Sequence, residues 1–373
     1  MTPEFTNLVD LAAERLGGAV LFANDDFFAP KENLLKASAP VFVEGRYTER
    51  GKWMDGWESR RRRTPGFDWC LIRLGLPGKI AGVVVDTSFF RGNFPESCSL
   101  EACAAHPNAD AAQLTAEATR WVEILPVSRL QGDAQNPFAV ESRERFTHLR
   151  FKIYPDGGVA RLRVYGEVAP DWERLRRAGG WVDLAAIENG GLVVATSDEF
   201  FGHRHNLIMP GRASDMSDGW ETKRRRGPGD DWCVIRLGAR GTIRRVEVDT
   251  AHFKGNFPES CSLEAAHATA VEPRRVTRGV TRETISEKMN GEMNGEMEAG
   301  ALEQFSWREL LPRTRLQADT RHFYEDELTD AGAATHVRFR IFPDGGISRL
   351  RLHGSLAGAA VSPAMPDFKE SNT

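Results

Sequence analysis

The sequence predicts an all-β protein made of two tandem, jelly-roll-like antiparallel β-sandwich domains that arose by internal duplication. Three observations predict it. One stretch of sequence occurs twice, short β-rich runs outnumber helical ones, and glycine or proline closes most of those runs.

The duplication is the strongest of the three. Gly56-Trp57-Glu58 recurs as Gly219-Trp220-Glu221, and Asp68-Trp69-Cys70 as Asp231-Trp232-Cys233. GNFPESCSLEA at residues 92–102 returns unchanged at 255–265. Residues 56–102 and 219–265 share about 33 identities in 47 positions. Further blocks match at other offsets: DDFF (25–28) with DEFF (198–201), Leu130-Gln131 with Leu316-Gln317, and residues 147–166 with 335–354. Changing offsets mean insertions between conserved elements, before Trp57 in the first copy and around 271–300 in the second. The 373 residues allow two domains, each able to bury a core. The expected domains are 1–175 and 176–373. The segment 271–300, with MNGEMNGEMEAG, reads as a flexible loop, and 356–373 as a loose tail.

The elements follow in order. Residues 8–16 and 32–36 carry the few helical signals, together with a short linking helix in DWERLRRAGG (171–180). Residues 69–74 (WCLIRL) and 80–86 (IAGVVVD) read as two strands parted by a Gly/Pro turn. Residues 149–154 (LRFKIY) and 159–165 (VARLRVY) alternate apolar and polar side chains around Pro155-Asp156-Gly157-Gly158, which predicts a hairpin. Residues 337–352 repeat this pattern.

Composition excludes several classes. The net charge is −4 and the sequence pI about 6.2, which does not suit a polyanion binder. The basic runs at 60–63 (RRRR) and 223–226 (KRRR) lack interleaved aromatic residues, so nucleic acid is not an expected partner. They read as solvated or ion-paired loops, or as an arginine fork for a small carboxylate. Five cysteines without a C-x-x-C pair, no signal-like N-terminus and no long apolar span indicate a cytoplasmic protein with reduced thiols and no membrane contact. No P-loop, G-x-G-x-x-G, G-x-S-x-G or H-E-x-x-H occurs. A metal is therefore not expected to be required, although His, Asp and Glu are available for a divalent ion.

Candidate chemistry lies in the repeated polar loops. Glu58 and Glu221 sit beside the arginines, and each reads equally as loop ion pair or as acid. Asp86 and Asp249 end apolar runs, and Asn93, Glu96, Asn256 and Glu259 follow them. His252 replaces Phe89 and suits proton transfer, against the plainer reading of a hydrogen-bonded structural histidine. His148 and His336 share one repeated position.

Taken in order, DDFF with NLL, DGWE with its arginines, DWC-IRLG, VDT-FRGNFPES, LQ and TH-R-IYPDGG-RLR-YG resemble the allantoicase family over nearly the whole chain. The resemblance implies two jelly-roll repeats, a homo-oligomer, and hydrolysis of allantoate to (S)-ureidoglycolate and urea. Allantoate carries a carboxylate and two ureido groups on one carbon. Its hydrolysis needs a cationic clamp, an acid, a base and amide-recognising groups. By that chemistry Arg61, Arg62, Arg224 and Arg225 are candidates for the carboxylate, and Asn93 and Asn256 for a ureido group. Glu58, Asp86, Glu96, Glu221, Asp249 and Glu259 are acid–base candidates, with His252 as a proton shuttle. The site could lie in either repeat, between repeats or between subunits. The rival class is a non-catalytic tandem module for a small carbohydrate or anion.

Overall fold

The computed structural model describes residues 3–267 and 305–357. The expectations for 271–300 and for most of the tail lie outside the described residues. The chain divides into two compact units between Pro170 and Asp171. The helix Trp172–Ala178 begins the second, capped by the Asp171 carboxylate on the Arg174 N–H.

Each unit is organised by one long strand. In the first it runs Asp68–Asp86. Residues 68–73 pair with Phe146–Tyr154 on one side, and residues 70–73 with Ala19–Ala23 on the other. From Gly78 onward the same strand pairs instead with Arg161–Val168 and Gln135–Ala139. Ser97–Cys103 and Val122–Arg129 extend the first set, and Val9–Asp10 the second. The long strand thus serves both layers of an antiparallel sandwich. The second unit repeats the plan around Asp231–Asp249, with Leu192–Thr196 and Ala334–Phe342 on its first half and Arg321–Tyr324 and Arg349–Leu356 on its second.

The change of layer explains the glycines whose sequence context predicts a turn between two strands. A β-carbon on Gly78 would lie 2.4 Å from the Glu167 carbonyl oxygen, and one on Gly166 2.2 Å from that of Lys79. The backbones approach too closely there for any side chain. The expected hairpin is also corrected. Strands Phe146–Tyr154 and Arg161–Val168 do not pair with each other, because each pairs with a different half of the long strand. The turn between them instead lends Gly158–Val159 to a small ladder with Trp57–Glu58. The helix expected at 8–16 is a two-residue strand, Val9–Asp10, followed by a 3-10 turn, Glu14–Leu16. It is shaped by Gly18, whose backbone packs against the Ala12 carbonyl. Residues 32–36 fall in and just after the 3-10 turn Lys31–Leu35.

The alternation that predicts strands also places the core. Phe146–Tyr154 buries Phe146, Leu149, Phe151 and Ile153 while Lys152 meets Glu101 at 2.7 Å. Full burial of such side chains stabilises by about 1.5–3 kcal/mol each. Trp57 and Trp220 are fully buried and lie 6.1 Å and 6.3 Å from the rings of Phe151 and Phe339. These tryptophans join each core to the polar loops beside it.

Candidate active site

Trp57 fixes the strand that carries Glu58. Its ring is in the core, and its Nε1 donates to the Asp25 carbonyl at 2.8 Å. Glu58 is clipped by its backbone on two sides, to Ala29 and to Gly158. Its half-buried side chain then points to Asn93, whose Nδ2 donates to Oε1 at 2.7 Å. The Asn93 carbonyl accepts from Gly158 N–H at 2.7 Å, so strand, loop and glycine turn close on one another. Burial raises the Glu58 carboxyl above its ordinary value, and the Asn93 hydrogen bond only partly offsets this. Beneath them lies the fully buried ring of Phe90, with room only for glycine at 158.

The second unit builds the same group from Trp220, Glu221, Asn256 and Gly346. Trp220 Nε1 donates to the Asp198 carbonyl at 2.9 Å, and Asn256 Nδ2 donates to Glu221 Oε1. Asn256 Nδ2 also approaches Met216 Sδ at 3.4 Å, a contact that residue Asn93 does not make.

The basic runs split into alternating jobs. Arg60 Nε grips Asp25 at 2.6 Å, and Lys223 Nζ lies 3.6 Å from Asp198. Arg62 Nη1 donates to the buried Asp68 at 2.6 Å, and Arg225 pairs with the buried Asp231. The backbone N–H groups of Arg62 and Arg225 bond Asp156 and Asp344, both at 2.8 Å. Arg62 and Arg225, expected to hold substrate, are therefore occupied by loop closure. Arg61 and Arg224 are exposed, and among the described residues no hydrogen bond or ion pair engages their side chains.

The remaining candidates make other contacts. Asp86 is buried and accepts from Ser88 N–H at 2.8 Å, while Asp249 accepts from Ala251 N–H at 2.8 Å and has Arg212 Nε at 3.8 Å. Among the described residues no hydrogen bond joins either aspartate to Glu58 or Glu221. Glu96 and Glu259 are exposed just before strands Ser97–Cys103 and Ser260–Ala266, with Glu259 near Arg313 at 3.9 Å. His252 donates from Nε2 to the Ala213 carbonyl at 3.0 Å and from its backbone to Asp319 at 2.7 Å. One ring nitrogen thus holds a loop.

Other nucleophiles and ligands are set aside by burial. All five cysteines are free and buried, and burial pushes the Cys98 and Cys261 thiols up to about 12 and Cys103 to about 11. His148 and His336 lie within strands with Nδ1 against Thr147 and Thr335 hydroxyls at 2.8 Å and 2.9 Å. Among the described residues no three His, Cys, Asp or Glu side chains gather as metal ligands would. A surface depression of about 420 Å³ opens at Phe27, Phe28 and Arg50, on the segment whose backbone bonds Glu58. No helix among the described residues is long and apolar enough to cross a membrane.

Sequence reasoning missed one shared feature, the buried Arg161 and Arg349, which grip Asp55 and Asp218. A signal existed: aspartate opens both DGWE motifs, and arginine recurs in both RLR motifs.

Comparison with known proteins gives a consistent result. A family model described as the allantoicase repeat matches residues 9–169 and 182–357. A probable allantoicase of Burkholderia mallei is 48% identical over 95% of this chain and 96% of its own length. The allantoicase of Dictyostelium discoideum is 45% identical over 93% of this chain and 87% of its own. The crystal structure of the Saccharomyces cerevisiae allantoicase superposes with a TM-score of 0.74 at 34% identity, covering 94% of this chain and 96% of that one.

Proposed function

The chain belongs to the allantoicase family, and from that premise we propose that it hydrolyses allantoate to (S)-ureidoglycolate and urea at the glutamate–asparagine pairs. The observation that carries the proposal is the pair itself. A half-buried carboxyl held by an amide, on a strand anchored by a buried tryptophan, occurs in both units.

The proposed chemistry assigns a task to each group. The C–N bond to one ureido group breaks, its electron pair stays on nitrogen, and that nitrogen takes a proton and leaves as urea. The oxygen of water forms the new C–O bond, and its released proton restores the acid. Glu58 is suited to the acid role, because burial keeps its proton bound closer to neutral pH than an ordinary carboxyl. Asn93 steadies Glu58 through its side-chain Nδ2 and has its side-chain Oδ1 for a ureido N–H. Arg61 and Arg224 are the exposed cations for the carboxylate. Asp86, Asp249, Glu96 and Glu259 are kept as candidate bases for water. Side-chain acids and bases handle the protons of these steps, and the same proposal includes a cytoplasmic homo-oligomer.

The test is direct. Purified protein incubated with allantoate should release urea and ureidoglycolate in equal amounts. Absence of urea release, with a carbohydrate bound and unchanged, would favour the binding-module reading.

A further inference from the structure

One buried charged group recurs in both units next to the glutamate strands. Arg161 is 1% exposed. Its Nη2 donates to Asp55 Oδ2 at 2.7 Å, Nη1 to the Asp55 carbonyl at 3.0 Å and Nε to the Ser38 carbonyl at 3.0 Å. Arg349 is 3% exposed. Its Nη2 donates to Asp218 Oδ2 at 2.7 Å, Nη1 to the Asp218 carbonyl at 2.6 Å and Nε to the Gly211 carbonyl at 3.3 Å. The aspartates in turn accept from loop N–H groups, Val41 at 3.1 Å and Ser214 at 3.2 Å.

The loops so tied differ in length and sequence, yet the grip on the aspartate is the same. Stability alone does not require such a group, since well-packed apolar residues commonly replace a buried ion pair without loss. Its location suggests another purpose. Asp55 lies three residues before Glu58, and Arg161 two residues after Val159, the strand partner of Trp57. Between them Gly56 packs so tightly that a β-carbon would lie 2.5 Å from the Val159 carbonyl. Movement of Asp55 is thus transmitted to Glu58 with little slack.

We propose that Asp55–Arg161 and Asp218–Arg349 are positioning pairs that hold Glu58 and Glu221 at the reacting geometry. The inference rests on the role proposed above for those glutamates. An error of about 1 Å in a reacting group can cost about a hundredfold in rate, so the pairs should act on kcat rather than on substrate affinity.

The test uses the full chain and the double variants D55N/R161M and D218N/R349M, which remove both charges together and leave no lone buried ion. R161K and R349K, which keep the charge and lose the fork, accompany them. The expected result is folded protein with KM for allantoate within about twofold, each double variant losing its own unit's share of turnover and the combination of the two lowering kcat at least about tenfold. The high-pH limb of the kcat profile, on which the acid loses its proton, should also shift. Unchanged kcat in the folded variants would overturn the proposal, and so would a loss of folding in all four, which would assign the pairs to stability alone. E58Q and E221Q are measured alongside. If they keep full turnover, the glutamate reading itself fails. If they lose turnover while the positioning variants keep it, only the present proposal fails.

Discussion

In the first unit the loop ahead of Asp55 is long. It carries the hairpin Tyr47–Thr48 with Gly51–Lys52 and lays Phe42 against the exposed ring of Phe89, with centroids 5.9 Å apart. In the second unit the corresponding loop ends in the short 3-10 turn Met216–Asp218, and His252 stands where Phe89 does. His252 donates to the Ala213 carbonyl instead of stacking. Both residues have φ of 70°, and both backbone N–H groups bond an aspartate, Asp133 or Asp319, at 2.7 Å. A bulky residue in this left-handed conformation is strained and persists only where its surroundings impose it. The comparison teaches that this position holds the neighbouring loop, by ring contact in one unit and by hydrogen bond in the other. The tryptophan, glutamate, asparagine and buried arginine do not change with it. The covering differs too: Phe200 and Phe201 are 63% and 62% exposed, whereas Arg50 of the longer loop lies over Phe27.

The largest expected effect on stability bears on what the units share. Burial, reinforced by Arg73 and Arg236, holds the His148 and His336 imidazoles neutral, with pKa values pulled down to about 4 from 6.5. The unfolded chain takes up protons near pH 6.5 that the folded chain refuses. The stabilisation is therefore complete above about 6.5 and is lost as pH falls toward about 4. Each histidine should account for about 1–2 kcal/mol lost between pH 7.5 and 5. Guanidinium unfolding at the two pH values checks this, and His148→Gln and His336→Gln should each flatten the dependence. A flat wild-type profile would show that the imidazoles are not held neutral.

A smaller effect sharpens the contrast between the units. Arg61→Ala and Arg224→Ala should each fold normally and raise KM for allantoate about tenfold, about 1.4 kcal/mol, wherever their unit binds substrate. If only one variant responds, the units are unequal in binding. If neither does, the exposed arginines are not the carboxylate clamp.

These contrasts also mark how far the sequence could be read. The duplication, strand content and position of the polar loops were legible because burial writes a period of two into strands such as Phe146–Tyr154. Pairing was not legible. A glycine that turns a hairpin and one that lets a strand change layers look alike, so Gly78 and Gly157-Gly158 misdirected the topology. At the site, repetition flagged Glu58, Asn93 and their counterparts. It could not separate Arg61 from Arg62, because what distinguishes them is the buried Asp68 that closes on Arg62 alone. Asp55 and Arg161 lie 106 positions apart and gave no local sign of meeting.

The account depends most on the two carboxyls that face Asn93 and Asn256. Steady-state urea release from allantoate by E58Q, E221Q and the doubly substituted protein tests it most directly. The account predicts that the double variant, still folded, loses at least about a hundredfold in kcat, the usual scale of a missing acid, and that the single variants divide that loss between the units. A double variant with wild-type kcat would contradict it.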